Sequence, residues 1–281
     1  PLPILLLVLL PQAPALERSA SVFLAPARDV AAEPFAVGAP HRVTVLPAGS
    51  RWSGRVPVRL AGRVVVASGD TLRIEAGARV AAEPGTELVV SPGAVLLAAG
   101  TTTRPIDLGC VGSTGPGCWA GVTIQGESVL EPDGTSGTLR YVRVRDGRLR
   151  LENVGAGTAI DGLQVDRAGA DGLELVGGTV RLQRVYLTRN PGYGLAWSGG
   201  WSGSAQRVAV VADPDGFQGG IRGSGDVGAS GPTLLNVTVV TAPSPAHPAP
   251  DAPALRLDGG ARGSLRNLLL VQPGVALDVD G

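Results

Sequence analysis

Leu139-Arg140-Tyr141-Val142-Arg143-Val144 returns as Ile160-Asp161-Gly162-Leu163-Gln164-Val165, as Leu182-Gln183-Arg184-Val185-Tyr186-Leu187 and as Ala205-Gln206-Arg207-Val208-Ala209-Val210. Leu234-Leu235-Asn236-Val237-Thr238-Val239 and Leu265-Arg266-Asn267-Leu268-Leu269-Leu270 keep the same form. The constant part is a pair of aliphatic residues two apart, which places both side chains on one face of a strand. Upstream the pair recurs as Val64/Val66, Leu88/Val90 and Val122/Ile124, so the steps along the chain are 24, 34, 20, 21, 22, 23, 29 and 31 residues. Recurrence on this scale marks a solenoid, in which each repeat buries its apolar face by stacking on its neighbours. The pairs are read as one inward-facing column of an all-β, coiled parallel structure with about three short strands per coil.

Most repeats carry a second apolar pair: Leu149/Leu151, Leu173/Leu175, Leu195/Trp197, Leu255/Leu257 and Leu277/Val279; only the coil near Ile221 is vague. Asn236 and Asn267 share one repeat position just before the strand. Stacked there, their amides are expected to bond one another from coil to coil.

The chain has 281 residues, 44% of them hydrophobic, with 24 basic and 24 acidic residues. Every basic residue is Arg, and Met is absent. This balance, with no basic block, argues against nucleic-acid binding. Gly (42) and Pro (23) are abundant and aromatics make up only 4%, the profile of many turns joining short aliphatic strands.

Pro1–Leu10 is an apolar run, followed by Pro11-Gln12-Ala13-Pro14-Ala15. It reads as the apolar region and cleavage site of a secretory signal peptide over residues 1–15, too short for a transmembrane helix. It lacks a charged leader and an initiator Met, so the chain is expected to be cut at its N-terminus. Residues 16–55 read as an N-terminal cap or linker with candidate strands at Val22–Leu24 and Val43–Leu46, and 56–281 as the solenoid. The last coil is expected to be covered by further sequence or a partner, because a bare strand edge is adhesive.

Gly69-Asp70-Thr71-Leu72-Arg73-Ile74-Glu75-Ala76-Gly77, then Ala98-Ala99-Gly100-Thr101-Thr102-Thr103-Arg104-Pro105-Ile106, then Trp119-Ala120-Gly121-Val122-Thr123-Ile124 carry a more specific signal. This set resembles the opening coils of secreted bacterial right-handed parallel β-helix proteins of the pectate-lyase-like superfamily. Ala76 and Ala120 depart mildly from that family's pattern, and the match covers about Trp52–Gly126. The resemblance implies a right-handed parallel β-helix, export from the cell, and polysaccharide or a cell-surface glycan as the partner class. Enzymes of that superfamily add a Ca²⁺-binding carboxylate group and a basic residue; related polygalacturonases carry N-T-D, D-D, G-H-G and R-I-K motifs, and none of these occurs here.

The long steps mark loops at Gly109–Cys118, Asp213–Gly231 and Thr241–Pro250, where solenoids tend to carry binding residues. Cys110 and Cys118, the only cysteines, are expected to form a disulfide in an exported chain, worth about 2–3 kcal/mol. Two thiols do not complete a metal site, and His41 and His247 are read as solvated. Asp213 and Asp215 in Asp-Pro-Asp-Gly suit either Ca²⁺ or an acid–base pair, with Arg222 as a nearby base. The same tetrapeptide makes an ordinary turn, which is the preferred reading, as it is for Asp161, Asp166 and Asp171. Tyr193 and Trp201, in Gly-rich turns, are candidates to stack on sugar rings, whereas Trp197 aligns with Leu175 and is assigned to the core. A non-catalytic secreted or cell-surface scaffold is therefore preferred over a polysaccharide lyase or hydrolase, which rests on fold analogy alone.

Overall fold

The computed structural model describes residues 33–112, 115–212, 216–225, 231–241, 252–271 and 274–280. Residues 1–32, with the expected signal peptide, lie outside them, as do Asp213, Asp215 and His247. The described residues form twenty-one strands, all joined in one sheet. Every strand pairing is parallel, and the sheet winds into a parallel β-helix. No helix among the described residues is long and apolar enough to cross a membrane.

The helix has three faces. On the first, Trp52 lies under Ile74, followed in register by Ala98, Leu139, Ile160, Leu182, Ala205, Leu234 and Leu265. On the second, Val80 is followed by Leu108, Val144, Val165, Leu187, Val210, Val239 and Leu270. On the third, Val64 is followed by Leu88, Val122, Leu149, Leu173, Leu195, Ile221, Leu255 and Leu277. Up to the last coil, where Leu265 and Leu270 are only partly buried and Leu277 is exposed, these columns with Trp119, Trp197 and Trp201 form the buried core, each fully buried aliphatic side chain contributing roughly 1.5–3 kcal/mol by leaving water.

This arrangement corrects the single column expected from the sequence. Val64/Val66, Leu88/Val90 and Val122/Ile124 do not lead into Val142/Val144; they continue into the second set of pairs, beginning with Leu149/Leu151. The vague coil at Ile221 is a regular member of that third face. The step from Val122 to Val142 moves to another face, not up one rung. An aliphatic pair records that a strand faces inward, and it does not record which sheet the strand belongs to.

The two coils running from Thr71 to Gln125 use three separate strands each, whereas Val58–Val66 before them serves the second and third faces in one strand. From Gly137–Arg145 onward the first and second faces share one strand of eight or nine residues. Each such strand bends at one residue of positive φ: Tyr141, Gly162, Arg184, Arg207, Asn236 and Asn267. Asn tolerates this left-handed geometry better than most residues, and Asn267 Nδ2 donates to Asn236 Oδ1 at 2.9 Å, the coil-to-coil bond that the repeat position suggested. Phe35–Val45 and Arg51–Trp52 pair with later strands, so the stack takes in part of the segment read as cap or linker.

Cys110 and Cys118 are bonded, with Cα atoms 6.1 Å apart, inside the usual range. Their loop runs from the second face to the third. Gly85 N donates to Cys118 O at 2.9 Å and Gly117 N to Arg167 O at 3.2 Å, which ties the loop to coils on both sides. At Gly117 a Cβ would sit 2.5 Å from Gly169 Cα, so only Gly permits this contact. The connections 212–218 and 241–252 leave from the same corner, between the second and third faces.

Candidate functional site

Alternation along each strand of the third face turns every second residue outward. One outward row reads Thr123, Arg150, Glu174, Ala196, Arg222, Arg256 and Asp278, one residue per coil. Glu174 is buried and accepts from both neighbouring arginines, Arg148 Nη1 at 3.1 Å and Arg150 Nη1. Arg150 also binds Glu152 at 2.5 Å. Arg222 Nε and Arg256 Nε each lie 2.7 Å from Asp258, and Arg256 reaches Asp280 at 2.9 Å. Burial works against ionisation of Glu152 and Asp258, yet their hydrogen bonds, from Gln125 and Arg150 and from Arg256 and Arg222 respectively, hold both below the ordinary carboxylate range.

Ala196 interrupts this row of long side chains. With Ser198 on the same strand, it leaves a cleft of about 250 Å³ between the coil of Glu174 and the coil of Arg222. Arg150, Asp171, Leu175, Val176, Trp197 and Ser224 complete the lining. Asp171 Oδ1 accepts from Tyr193 N at 2.7 Å, a bond to the next coil and not the local turn expected of it. Burial, helped by the charge of Glu174, pushes the Asp171 carboxyl above its usual value against that bond and the Arg222 and Arg148 charges. Ser224 is 6% exposed, and its hydroxyl has no hydrogen-bond partner among the described residues.

The aromatic candidates do not offer free rings. Trp201 is fully buried, its Nε1 donates to Val180 O at 3.2 Å, and its ring lies 6.4 Å from that of Trp197. This corrects the expectation that Trp201 is freer than Trp197: a turn residue of this size finds its apolar surroundings inside the coil. Tyr193 is 6% exposed, and the Arg222 guanidinium sits 5.9 Å from its ring centre. Arg222 and Tyr193 are thus brought together at the cleft, but Arg222 is held by Asp258 and Tyr193 has no open face. Asp213 and Asp215 lie outside the described residues, on the connection between the Arg222 strand and the strand before it.

The sequence reading did not single out Glu174, Ala196, Ser198 or Ser224. Their signal is the residue that follows each third-face apolar position, Arg150, Glu174, Ala196 and Arg222 in turn. It becomes readable only once Leu149, Leu173, Leu195 and Ile221 are known to share a column.

A family model described as a pectate-lyase-like β-helix domain matches residues 52–140 and 130–281. The chain belongs to this pectate-lyase-like β-helix family. No curated protein matches it, and no solved structure does. Glu152, Glu174 and Asp258 are each engaged by arginine, and no group of three His, Cys, Asp or Glu among the described residues is placed to hold a metal ion. What this member of the family presents is a charge-neutralised ladder with a polar cleft in it.

Proposed function

We propose that the chain is a non-catalytic β-helix scaffold, secreted or held at the cell surface, that contacts carbohydrate along the outside of its third face. The observation that carries this reading is the pairing of the ladder. Glu174 and Asp258 each bind two arginines, so their lone pairs and charge hold coils together and are not free to move a proton. The cleft at Ala196 provides a recess along this row, and membership of the family supports a carbohydrate partner. The test is binding of the purified chain to immobilised polysaccharides, alongside an ultraviolet assay for unsaturated product on uronate polymers with calcium. Binding without turnover is expected; turnover would overturn the non-catalytic assignment, and absence of all binding would remove the carbohydrate assignment.

A second reading, a glycoside hydrolase, draws on Asp171. A carboxyl raised by burial beside a cleft is the usual setting of a general acid. Its weakness is the second carboxylate, because Glu174 is the only other one in the lining. Reducing-end release that disappears in Asp171→Asn would favour this reading.

A further inference from the structure

We infer that the cleft over Ala196 receives a single neutral sugar residue of a glycan chain, held through its hydroxyl groups, and discriminates against uronates. This rests on the carbohydrate-contacting function proposed above and specifies its ligand.

The cleft holds two guanidinium groups, Arg150 and Arg222, and two carboxyl groups, Asp171 and Glu174. Each guanidinium already neutralises a carboxylate of the ladder. Arg150 is shared between Glu152 and Glu174, and Arg222 is taken by Asp258 and lies against Tyr193. A sugar carboxylate would compete with these partners for the same guanidinium charge. Displacement at Arg150 would strand the buried Glu174 charge, which is costly, and the incoming anion would also meet Asp171 and Glu174 at close range.

The groups with unused hydrogen-bonding capacity are of another kind. Ser224 Oγ is buried and unpartnered among the described residues, and a hydroxyl both donates and accepts. Asp171 makes a single hydrogen bond among the described residues, at Oδ1, which leaves Oδ2 to accept from a hydroxyl. Ser198 adds a second hydroxyl, and the outward Val176 gives an apolar contact for the C–H face of a pyranose. A buried hydroxyl without a partner is a destabilising feature, and a ligand hydroxyl within reach relieves it. At about 250 Å³ the space is smaller than the roughly 300–1,000 Å³ that holds a drug-sized molecule. It therefore suits one ring of a chain whose neighbouring rings lie outside.

The test presents the intact chain to an array of neutral hexose and pentose oligosaccharides beside galacturonate and mannuronate oligosaccharides, followed by calorimetry on the best binder. A neutral oligosaccharide is expected to bind at least about tenfold tighter than any uronate, with little dependence on salt. Ala196→Leu, which fills the floor of the cleft from a half-exposed outward position, is expected to abolish binding while the melting temperature holds. Ser224→Ala is expected to weaken it by about two- to tenfold, the range of one neutral hydrogen bond. Uronate binding lost in Ala196→Leu would refute the neutral ligand while leaving carbohydrate contact intact. Neutral-sugar binding that survives Ala196→Leu would refute the cleft, and no binding by either class would refute this inference together with the function it rests on.

Discussion

Gly223 offers the sharpest test of how the third face is packed. It is in register with Trp197 on one side and Leu257 on the other, so it occupies an inward position that Leu fills in other coils. It does not take a positive φ, so its backbone does not demand Gly. The demand comes from Trp197. A Cβ at Gly223 would lie 2.2, 2.5 and 2.8 Å from ring carbons of Trp197, against an ordinary contact of at least 3.4 Å. The ring would have to retreat by about 1.2 Å (3.4 minus 2.2), and it is 1% exposed and packed beside Trp201. Gly223→Ala is therefore an overpacking substitution and should cost about 1–3 kcal/mol. In a Trp197→Leu background the obstructing ring is gone, and the same substitution should cost no more than about 0.5 kcal/mol. Trp197→Leu alone should cost less than the roughly 3–5 kcal/mol of a Trp→Ala change, since Leu matches the rest of the column. Guanidinium unfolding of the four proteins, followed by far-ultraviolet circular dichroism, closes the cycle. An equal cost of Gly223→Ala in both backgrounds would mean that Trp197 does not lie over Gly223, and the assigned register would be wrong.

Three further outcomes follow from single features. Replacing Cys110 and Cys118 together with Ser should lower stability by about 2–3 kcal/mol through loop entropy, read as a shift in denaturant midpoint. At the corner ladder, Asn236→Gly keeps the left-handed backbone and loses the amide bond to Asn267, costing about 1 kcal/mol; Asn236→Ala should cost about 1 kcal/mol more, because Ala resists φ near 54°. For Asp171 the sign follows from its raised native value: between the ordinary 3.8 and that value the native state holds more protons than the unfolded state, so parent stability falls as pH rises through this window and is level above it. The melting temperature of Asp171→Asn relative to the parent should accordingly climb across the same window; a constant difference would contradict the raised carboxyl.

Much of this fold is written in the spacing of its aliphatic residues. Val142, Leu163, Val185 and Val208 stack as their repeat suggests, and Asn236 meets Asn267. The assignment of pairs to faces was not legible, because Val122/Ile124 and Val142/Val144 are chemically alike and only strand pairing separates them. The burial of Trp201 was hidden for a related reason: a Gly-rich neighbourhood announces a turn but not the direction of the side chain on it. Of the candidate site, Arg222 and Tyr193 were visible in the sequence as residue types. The cleft beside them was not, because it arises from a small residue, Ala196, standing in register between Glu174 and Arg222.

The third-face register is the claim on which both packing and cleft depend, and cross-linking tests it most directly. Thr123 and Arg150 are neighbours in register on the outside of that face, so cysteines at both positions fall within the roughly 4.4–6.8 Å Cα separation that a disulfide spans. A single continuous column would instead set Thr123 beside Arg143. The account predicts that Thr123→Cys with Arg150→Cys closes under mild oxidation, as read by peptide mass mapping, while Thr123→Cys with Arg143→Cys stays open. Closure of the second pair and not the first would contradict it.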